Sequence, residues 1–187
     1  MKYFKKIVGK RIYLSPMNSE DYLKYAEWMN SDVVSKNLGN FSSIVSINGE
    51  KAWLENATTE KYNFAIVDME KDILIGNISL MHVHEVNRTA ELGIFIGDEE
   101  YHSKGYGSEA IMLLLDYAFN YVNLNNIMLR VFDYNKRAIK AYEKCGFKTF
   151  GVWKNSHYFG GEYVDEIFMN VLKEDFYKNQ LVKKLHK

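Results

Sequence analysis

A lysine and two glycines stand directly before a stretch of helical periodicity, in the run Lys104-Gly105-Tyr106-Gly107-Ser108. Glycine lets a ligand approach the backbone closely and accepts positive φ angles. The first N–H groups of a helix lack partners within the helix, and the helix dipole favours negative charge at that end. This combination predicts a binding site for an anion such as a phosphate group. A flexible loop that merely precedes a helix is the competing interpretation.

A second informative run begins at Asn135, a good helix N-cap that Lys136 and Arg137 follow. Cations in a first helical turn oppose the helix dipole, at roughly 0.3–1 kcal/mol each, and a docked anion would reverse that sign. Two solvated basic side chains are the alternative interpretation. Tyr142 shares a helical face with Cys145, and this spacing leaves open whether it is a core tyrosine or a phenol aimed at a ligand.

The order strand–helix–strand–helix around these runs, with antiparallel strands on both sides, predicts a mixed α/β fold. Apolar patterns predict strands over residues 11–15, 64–68, 73–81, 89–96, 127–132, 149–158 and 163–172. Periodicity and capping predict helices after Ser19, over 47–56, from the glycine run to Val122, over 135–145 before Gly146, and loosely from Lys173. Between the first of these helices and the helix over 47–56, the chain is interpreted as a polar connection that passes through Gly39 and Asn40. Gly93 marks a bulge or a close backbone approach inside its strand.

The composition indicates one globular domain, because 187 residues with 47% hydrophobic side chains are enough for a sizeable core. Lys and Arg together number 24, as do Asp and Glu, so the formal net charge is zero and no bulk attraction to nucleic acid is expected. No apolar run has the length of a signal peptide or a membrane span. We therefore expect a cytoplasmic protein without membrane or nucleic-acid partners.

The residues that bind metals or form disulfides are sparse. Cys145 is the only cysteine, which excludes an internal disulfide and a cysteine-rich zinc site. His82 and His84 lie near a strand end without a third ligand at useful spacing. We interpret both histidines as surface or substrate-loop residues, and we predict no metal.

The two runs together resemble the GCN5-related N-acetyltransferase (GNAT) superfamily, and more narrowly its Rim-type branch, named for acetylation of ribosomal-protein N-termini. The resemblance rests on Leu92–Phe119 and on the pattern Asn135-x-x-Ala138-x-x-x-Tyr142-Glu143-Lys144-x-Gly146-Phe147. It extends over about residues 9–172 of a single domain spanning 1–187, with a basic tail at 173–187. It implies a central twisted mixed sheet with a bulged, splayed strand and flanking helices.

The resemblance implies transfer of an acetyl group from acetyl-CoA to an amine by direct attack in a ternary complex. It assigns cofactor binding to one strand, one loop and one helix: Ile94, Phe95, Ile96, His102, Ser103, Lys104, Gly105, Tyr106, Gly107, Ser108, Asn135 and Lys144. The family commonly has Gln or Arg where this chain has His102. The protein is expected to be a monomer or a homodimer.

The chemistry requires loss of a proton, because an ammonium ion cannot attack a thioester. The resemblance assigns Glu91 as the base, acting directly or through water, and Tyr142 as the group that protonates the departing thiolate. The alternative for Glu91 is a strand carboxylate paired with Arg88 or a lysine. Strand N–H groups near Phe95 would polarise the thioester carbonyl.

Two other functions stay open. Gly105-x-Gly107-x-x-Ala110 fits a dinucleotide fingerprint with Asp133 as the ribose-binding acid, but residues 97–104 separate it from its strand, which disfavours an NAD enzyme. A non-catalytic acyl-CoA-binding module is the other alternative. The acceptor is a protein N-terminus, a polyamine, an aminoglycoside or an amino sugar. We expect it to meet residues 28–41 and 158–163, and acidic residues 98–100 to attract its charge.

Overall fold

The structure is a computed structural model that describes residues 2–178, so the predicted basic tail lies outside the described residues beyond Lys178. The strands are β1 (Ile7–Val8), β2 (Ile12–Pro16), β3 (Asn63–Asp68), β4 (Leu74–His84), β5 (Thr89–Ile96), β6 (Asn126–Phe132), β7 (Lys148–Phe159) and β8 (Glu162–Leu172). The α-helices are α1 (Tyr22–Met29), α2 (Asp32–Leu38), α3 (Ile47–Ala57), α4 (Tyr106–Asn120), α5 (Lys136–Lys144) and α6 (Lys173–Lys178).

The strands follow one another in the hydrogen-bonded order β1-β2-β3-β4-β5-β6-β8-β7. The β5–β6 pair is parallel, whereas β1–β2, β2–β3, β3–β4, β6–β8 and β7–β8 are antiparallel. The parallel ladder pairs Thr89 with Asn126 and ends where Glu91 meets Met128, while β5 itself continues to Ile96. These features confirm the predicted mixed sheet. A bulge at Gly93 stays a prediction.

The described chain divides into two compact units, and the prediction of a single domain stays a prediction. The first unit contains the residues up to 79 together with 94–110. Its core is built from aromatic and aliphatic side chains of α1, α3, β2, β3 and β4, among them Tyr13, Tyr25, Trp28, Leu54, Val67 and Leu74.

The second unit contains residues 80–93 and those from 111 onward. Ile111, Leu114, Leu115 and Ala118 are buried along one face of α4, as their 3.6-residue spacing predicts. Gly146 has a φ of 94°, in the left-handed region, and the N–H of Phe147 bonds to the Tyr142 carbonyl. This arrangement ends α5 and confirms Gly146 as the C′ residue, which follows the C-cap Cys145.

Three local predictions need correction. Asn18, not Ser19, caps the short 3-10 helix Ser19–Asp21 that precedes α1. Its side chain accepts a hydrogen bond from the Glu20 N–H at 3.0 Å. The segment interpreted as a polar connection contains α2, whose seven residues are too few for a clear apolar period. Ser31 caps α2, and Gly39 ends it with a φ of 75°. The two-residue strand β1 was also missed, since so short a strand has no periodicity.

Candidate active site

The glycine run lies in the first unit, where Arg11 determines its arrangement. The Arg11 Nη1 donates a hydrogen bond to the Lys104 carbonyl at 2.9 Å. Its guanidinium carbon lies 4.4 Å from the ring centroid of Tyr106, at the start of α4. Gly105 has a φ of 86°, and an added Cβ would come within 3.3 Å of the guanidinium. A side chain at position 105 would therefore be strained and would press on Arg11.

Glu109, in the first turn of α4, connects this arginine to the helix. One carboxylate oxygen accepts the backbone N–H groups of Lys10 and Arg11 at 2.7 and 2.8 Å, and the other accepts the Arg11 Nε at 2.9 Å. Burial raises the pKa of Glu109, but these hydrogen bonds outweigh burial and leave the pKa below its ordinary value. A negative charge here also suits the helix N-terminus. Arg11 and Glu109 thus fasten the loop to the strand region before β2.

His102 orders the other side of the loop. Its Nε2 lies 2.8 Å from the carbonyl oxygen of Ile96, and because a carbonyl only accepts, the ring nitrogen is the donor. This contact uses one of the two ring nitrogens of His102. Ser103 and Lys104 are exposed, and Ser103 has a φ of 58°. Within this unit, the predicted phosphate loop and the end of the predicted cofactor strand do come together.

The end of β5 lies directly against the start of α4. A Cβ added at Gly107 would meet Ile96 Cγ1 at 3.7 Å and Ile94 Cδ1 at 4.0 Å, which are ordinary contacts. Gly76 of β4 approaches more closely, since a Cβ there would lie 2.3 Å from the Phe95 carbonyl oxygen. Only glycine permits that approach. Gly76 is a positioning residue that the sequence analysis did not single out.

An aromatic cluster holds the same end of β5 from the helical side. Phe95 makes edge contacts with Tyr25 and Trp28, at centroid distances of 6.1 and 5.7 Å. A Cβ at Gly97 would overlap the Trp28 ring at 2.1 Å. Trp28 is 2% exposed, so its expected place on the acceptor side is wrong: it is a core residue.

Asp98, expected to attract an amine, already has partners. It accepts a hydrogen bond from Trp28 Nε1 at 2.9 Å and pairs with the Lys24 ammonium at 2.7 Å. By contrast, Tyr158 and Tyr163 of the β7–β8 hairpin are 62% and 65% exposed. Their rings meet edge to face at 5.3 Å in the second unit. The hairpin therefore retains the exposure that an acceptor surface needs.

Glu91, in the second unit, belongs to a group of charged side chains. Its Oε1 accepts a hydrogen bond from Arg130 Nε at 2.7 Å, and its Oε2 lies 4.0 Å from His82 Nε2. Arg130 Nη1 is also 3.8 Å from a carboxylate oxygen of Glu166. The hydrogen bond to Glu91 raises the pKa of Arg130. Arg88, the partner suggested by sequence, instead donates to Asn123.

The helix α5 carries the remaining predicted site residues. The Asn135 side chain accepts the Ala138 N–H at 3.1 Å, so its oxygen caps the helix as predicted. Tyr142 is half-buried with its ring 6.0 Å from that of Phe147, and Lys144 is exposed. Burial, and secondarily Cys145, raises the pKa of Tyr142 to about 12, so the phenol keeps its proton at neutral pH.

Among residues 2–178, no three His, Cys, Asp or Glu side chains are placed to hold a metal ion. In the same part of the chain, no helix combines the length and apolar character needed to cross a membrane.

Comparison with known proteins identifies relatives for most of this chain. A spermidine N(1)-acetyltransferase from Vibrio cholerae is 34% identical over 113 residues, covering 60% of this chain and 64% of the relative. The match thus spans less than two thirds of that enzyme's length. An uncharacterized N-acetyltransferase, p20 from Bacillus licheniformis, is 26% identical over 171 residues, covering 89% of this chain and 96% of the relative.

The fold has counterparts among solved structures. The crystal structure of spermidine N-acetyltransferase from Vibrio cholerae in complex with CoA and spermine superposes with a TM-score of 0.81 at 24% identity, covering 90% of this chain and 99% of that one. This likeness confirms the predicted fold class. The family described as the acetyltransferase (GNAT) domain, whose members use acetyl-CoA as the acetyl donor, matches residues 11–148. The chain therefore belongs to the GNAT family of acetyltransferases.

Proposed function

We propose that this protein transfers an acetyl group from acetyl-CoA to a primary amine of a polyamine, by direct attack of the amine in a ternary complex. The observation that carries the proposal is the family match over residues 11–148, which includes both sequence motifs. The named activity of the Vibrio cholerae relative favours the polyamine. The Rim-type resemblance makes a protein N-terminus the second acceptor class to test.

The donor side of the proposal rests on the loop before α4. The backbone N–H groups of residues 102–108 bind the pyrophosphate, next to the exposed Lys104. Gly107 presents no side chain, so a ligand can approach the helix start. Ile94, Phe95 and Ile96, in the same unit, pair with the pantetheine amides, and the cofactor contacts of Asn135 and Lys144 stay predictions. Acetyl-CoA supplies the activated thioester.

Tyr142 is the residue that interacts with the departing CoA sulfur. A phenol with a pKa of about 12 is a weaker acid than a thiol, whose ordinary pKa is about 8.5. Full proton transfer to a free thiolate is therefore uphill at equilibrium. The favourable contribution is a hydrogen bond from the phenol that strengthens as negative charge develops on sulfur.

The acceptor side is assigned to the second unit. The resemblance gives Glu91 as the base for the amine proton, directly or through water, and Arg130 holds one of its oxygens at 2.7 Å. Two carboxylates, Glu91 and Glu166, surround one guanidinium in this group, which leaves a negative balance that favours a cationic acceptor. The exposed tyrosines of the β7–β8 hairpin offer ring faces to an alkyl ammonium.

An amine panel tests the proposal. The purified protein is assayed with acetyl-CoA by release of free CoA thiol, with spermidine, a peptide with a free N-terminus, an aminoglycoside and glucosamine phosphate. We expect the highest kcat/KM for spermidine. Preference for the peptide would replace the polyamine by a protein N-terminus. Acetyl-CoA binding without turnover of any acceptor would favour the non-catalytic module.

A further inference from the structure

His82 has a backbone conformation that is uncommon for a residue other than glycine. It lies within β4 with a φ of 51°, in the left-handed region, which glycine adopts readily and asparagine, aspartate and histidine adopt more often than other residues. Its side chain is 78% exposed, so burial of the ring does not explain the conformation. Non-glycine residues in this region concentrate at sites where the direction of a side chain matters.

The imidazole is directed towards Glu91. Its Nε2 lies 4.0 Å from Glu91 Oε2, a distance suited to an ion pair but too long for a hydrogen bond. The other Glu91 oxygen accepts Arg130 Nε at 2.7 Å, which fixes the carboxylate in place. Glu91 itself is only 13% exposed. The histidine is therefore the solvent-facing member of the pair.

Charged side chains from three strands lie near or behind the imidazole. Glu91 from β5 faces the imidazole, Arg130 from β6 pairs with Glu91, and Glu166 from β8 pairs with the arginine. Two carboxylates and one guanidinium sum to a single negative charge. The only carboxylate within ion-pair distance of the imidazole is therefore one that a guanidinium holds in place, among the described residues.

We propose that His82 is the base that takes the proton from the acceptor ammonium, with Glu91 stabilising the imidazolium and Arg130 positioning Glu91. The assignment rests on the proposed acetyl transfer, and it gives the proton to His82 where the resemblance gives it to Glu91. The ammonium N–H bond breaks and its proton goes to His82 Nε2. The free amine then forms a bond to the thioester carbonyl carbon and loses its second N–H proton, the carbon–sulfur bond breaks, and CoA leaves as a thiol that carries one proton in place of the acetyl group. His82 later returns its proton to water.

Exposure explains why His82, and not Glu91, meets the substrate in this arrangement. The carboxylate has one oxygen engaged by Arg130 and little accessible surface. The imidazole can reach an amine, accept its proton and release that proton to solvent. Glu91 then acts by stabilising charge, the role of the third group that orients a base in other nucleophilic systems.

The test compares His82→Asn with His84→Asn on the same strand. Asparagine accepts a left-handed φ, so the first variant keeps the backbone of β4. His84 is exposed, and its Nδ1 accepts only a local bond from the Asn87 N–H at 3.1 Å. We measure kcat/KM for spermidine with acetyl-CoA between pH 5.5 and 9.5, roughly the range over which imidazoles and amines titrate.

The wild type should lose activity below neutral pH, in the range where imidazoles titrate. For His82→Asn we expect roughly a 10²-fold lower kcat/KM at pH 7, loss of this acid limb, and partial rescue by added imidazole. His84→Asn should stay within about twofold of the wild type. Glu91→Gln should also lower kcat/KM at pH 7, because the group that faces the imidazole loses its negative charge.

The outcomes separate the two proposals. Normal wild-type turnover with an unchanged acid limb in His82→Asn would overturn the assignment of His82 and leave the acetyltransferase function intact. An equal loss in both histidine variants would indicate a structural effect on β4 and would also overturn it. Failure of the wild type to acetylate any amine would overturn the proposed function together with its base.

Discussion

At the residue scale, Tyr142 illustrates how the surroundings define a chemical role. The side chain is half-buried beside Phe147, and burial raises its pKa to about 12. The phenol therefore remains protonated at every pH at which the protein would work. A group in this state donates hydrogen bonds and cannot serve as a base. This state fits the side of the reaction on which sulfur gains negative charge.

Replacement of Tyr142 by phenylalanine removes only the donor. We expect roughly a 10²-fold lower kcat, because the hydrogen bond to the developing thiolate is lost. Acetyl-CoA affinity should change less than about twofold, since the interaction is made mainly in the transition state. Steady-state kinetics and calorimetry measure the two quantities. Tyr121→Phe, an exposed tyrosine on the same unit, is the control. An unchanged kcat in Tyr142→Phe would remove this residue from the mechanism.

At the scale of elements, the start of α4 depends on a residue far away in sequence. Glu109 accepts two backbone N–H groups and the Arg11 guanidinium, whose Nε bonds across a separation of 98 residues. The same arginine holds the Lys104 carbonyl. The glycine run thus has a defined shape because a helix and the strand region before β2 are joined by one carboxylate.

Glu109→Gln should reduce the free energy of unfolding at pH 7 by about 1–2 kcal/mol, since charge-assisted hydrogen bonds are lost and part of the group is exposed to solvent. The pKa of Glu109 is lower in the folded than in the unfolded protein. Its contribution is therefore complete above the ordinary carboxyl pKa of about 4.3 and disappears as pH falls through the folded value.

Urea unfolding at several pH values between 7 and 3 measures this effect. The difference between wild type and variant should shrink as the pH falls below about 4. Glu55→Gln, an exposed position on α3, should leave stability nearly unchanged at all pH values. A difference for Glu109→Gln that is the same at pH 7 and pH 3 would contradict the ionic origin of the contact.

At the scale of the whole molecule, the binding of acetyl-CoA or of NADH distinguishes an acetyltransferase from the alternative of an NAD enzyme. Calorimetric titration should show micromolar binding of acetyl-CoA and none of NADH, because the phosphate loop does not follow its strand directly. Gly107→Glu should abolish binding by filling the loop and adding like charge next to the pyrophosphate.

Gly107→Ala is the matched control for folding, since its Cβ would make only ordinary contacts with Ile94 and Ile96. Unaltered acetyl-CoA affinity in folded Gly107→Glu would place the site elsewhere. NADH binding by the wild type without acetyl-CoA binding would revive the dinucleotide alternative.

The sequence by itself determined the fold class and the helix carrying Tyr142. It also located the glycine run before α4, for which it predicts anion binding. These features depend on local signals: the buried face of α4 follows from a 3.6-residue period, and Asn135 and Gly146 bound α5 through their own capping geometry. The short helix α2 was not predicted, because seven residues are too few to show a helical pattern of apolar side chains. Its ends were nevertheless marked by Ser31 and Gly39.

Only the tertiary structure decided which side chains act together. The pairing of Arg11 with Glu109, and the grouping of His82 and Glu91 with Arg130, join residues on different elements. The tertiary structure also placed Trp28 in the core, because the Trp28 ring packs where Gly97 leaves space. Local propensity carries no information about such long-range contacts, since strand pairing and close backbone approach bring them about only when the chain folds.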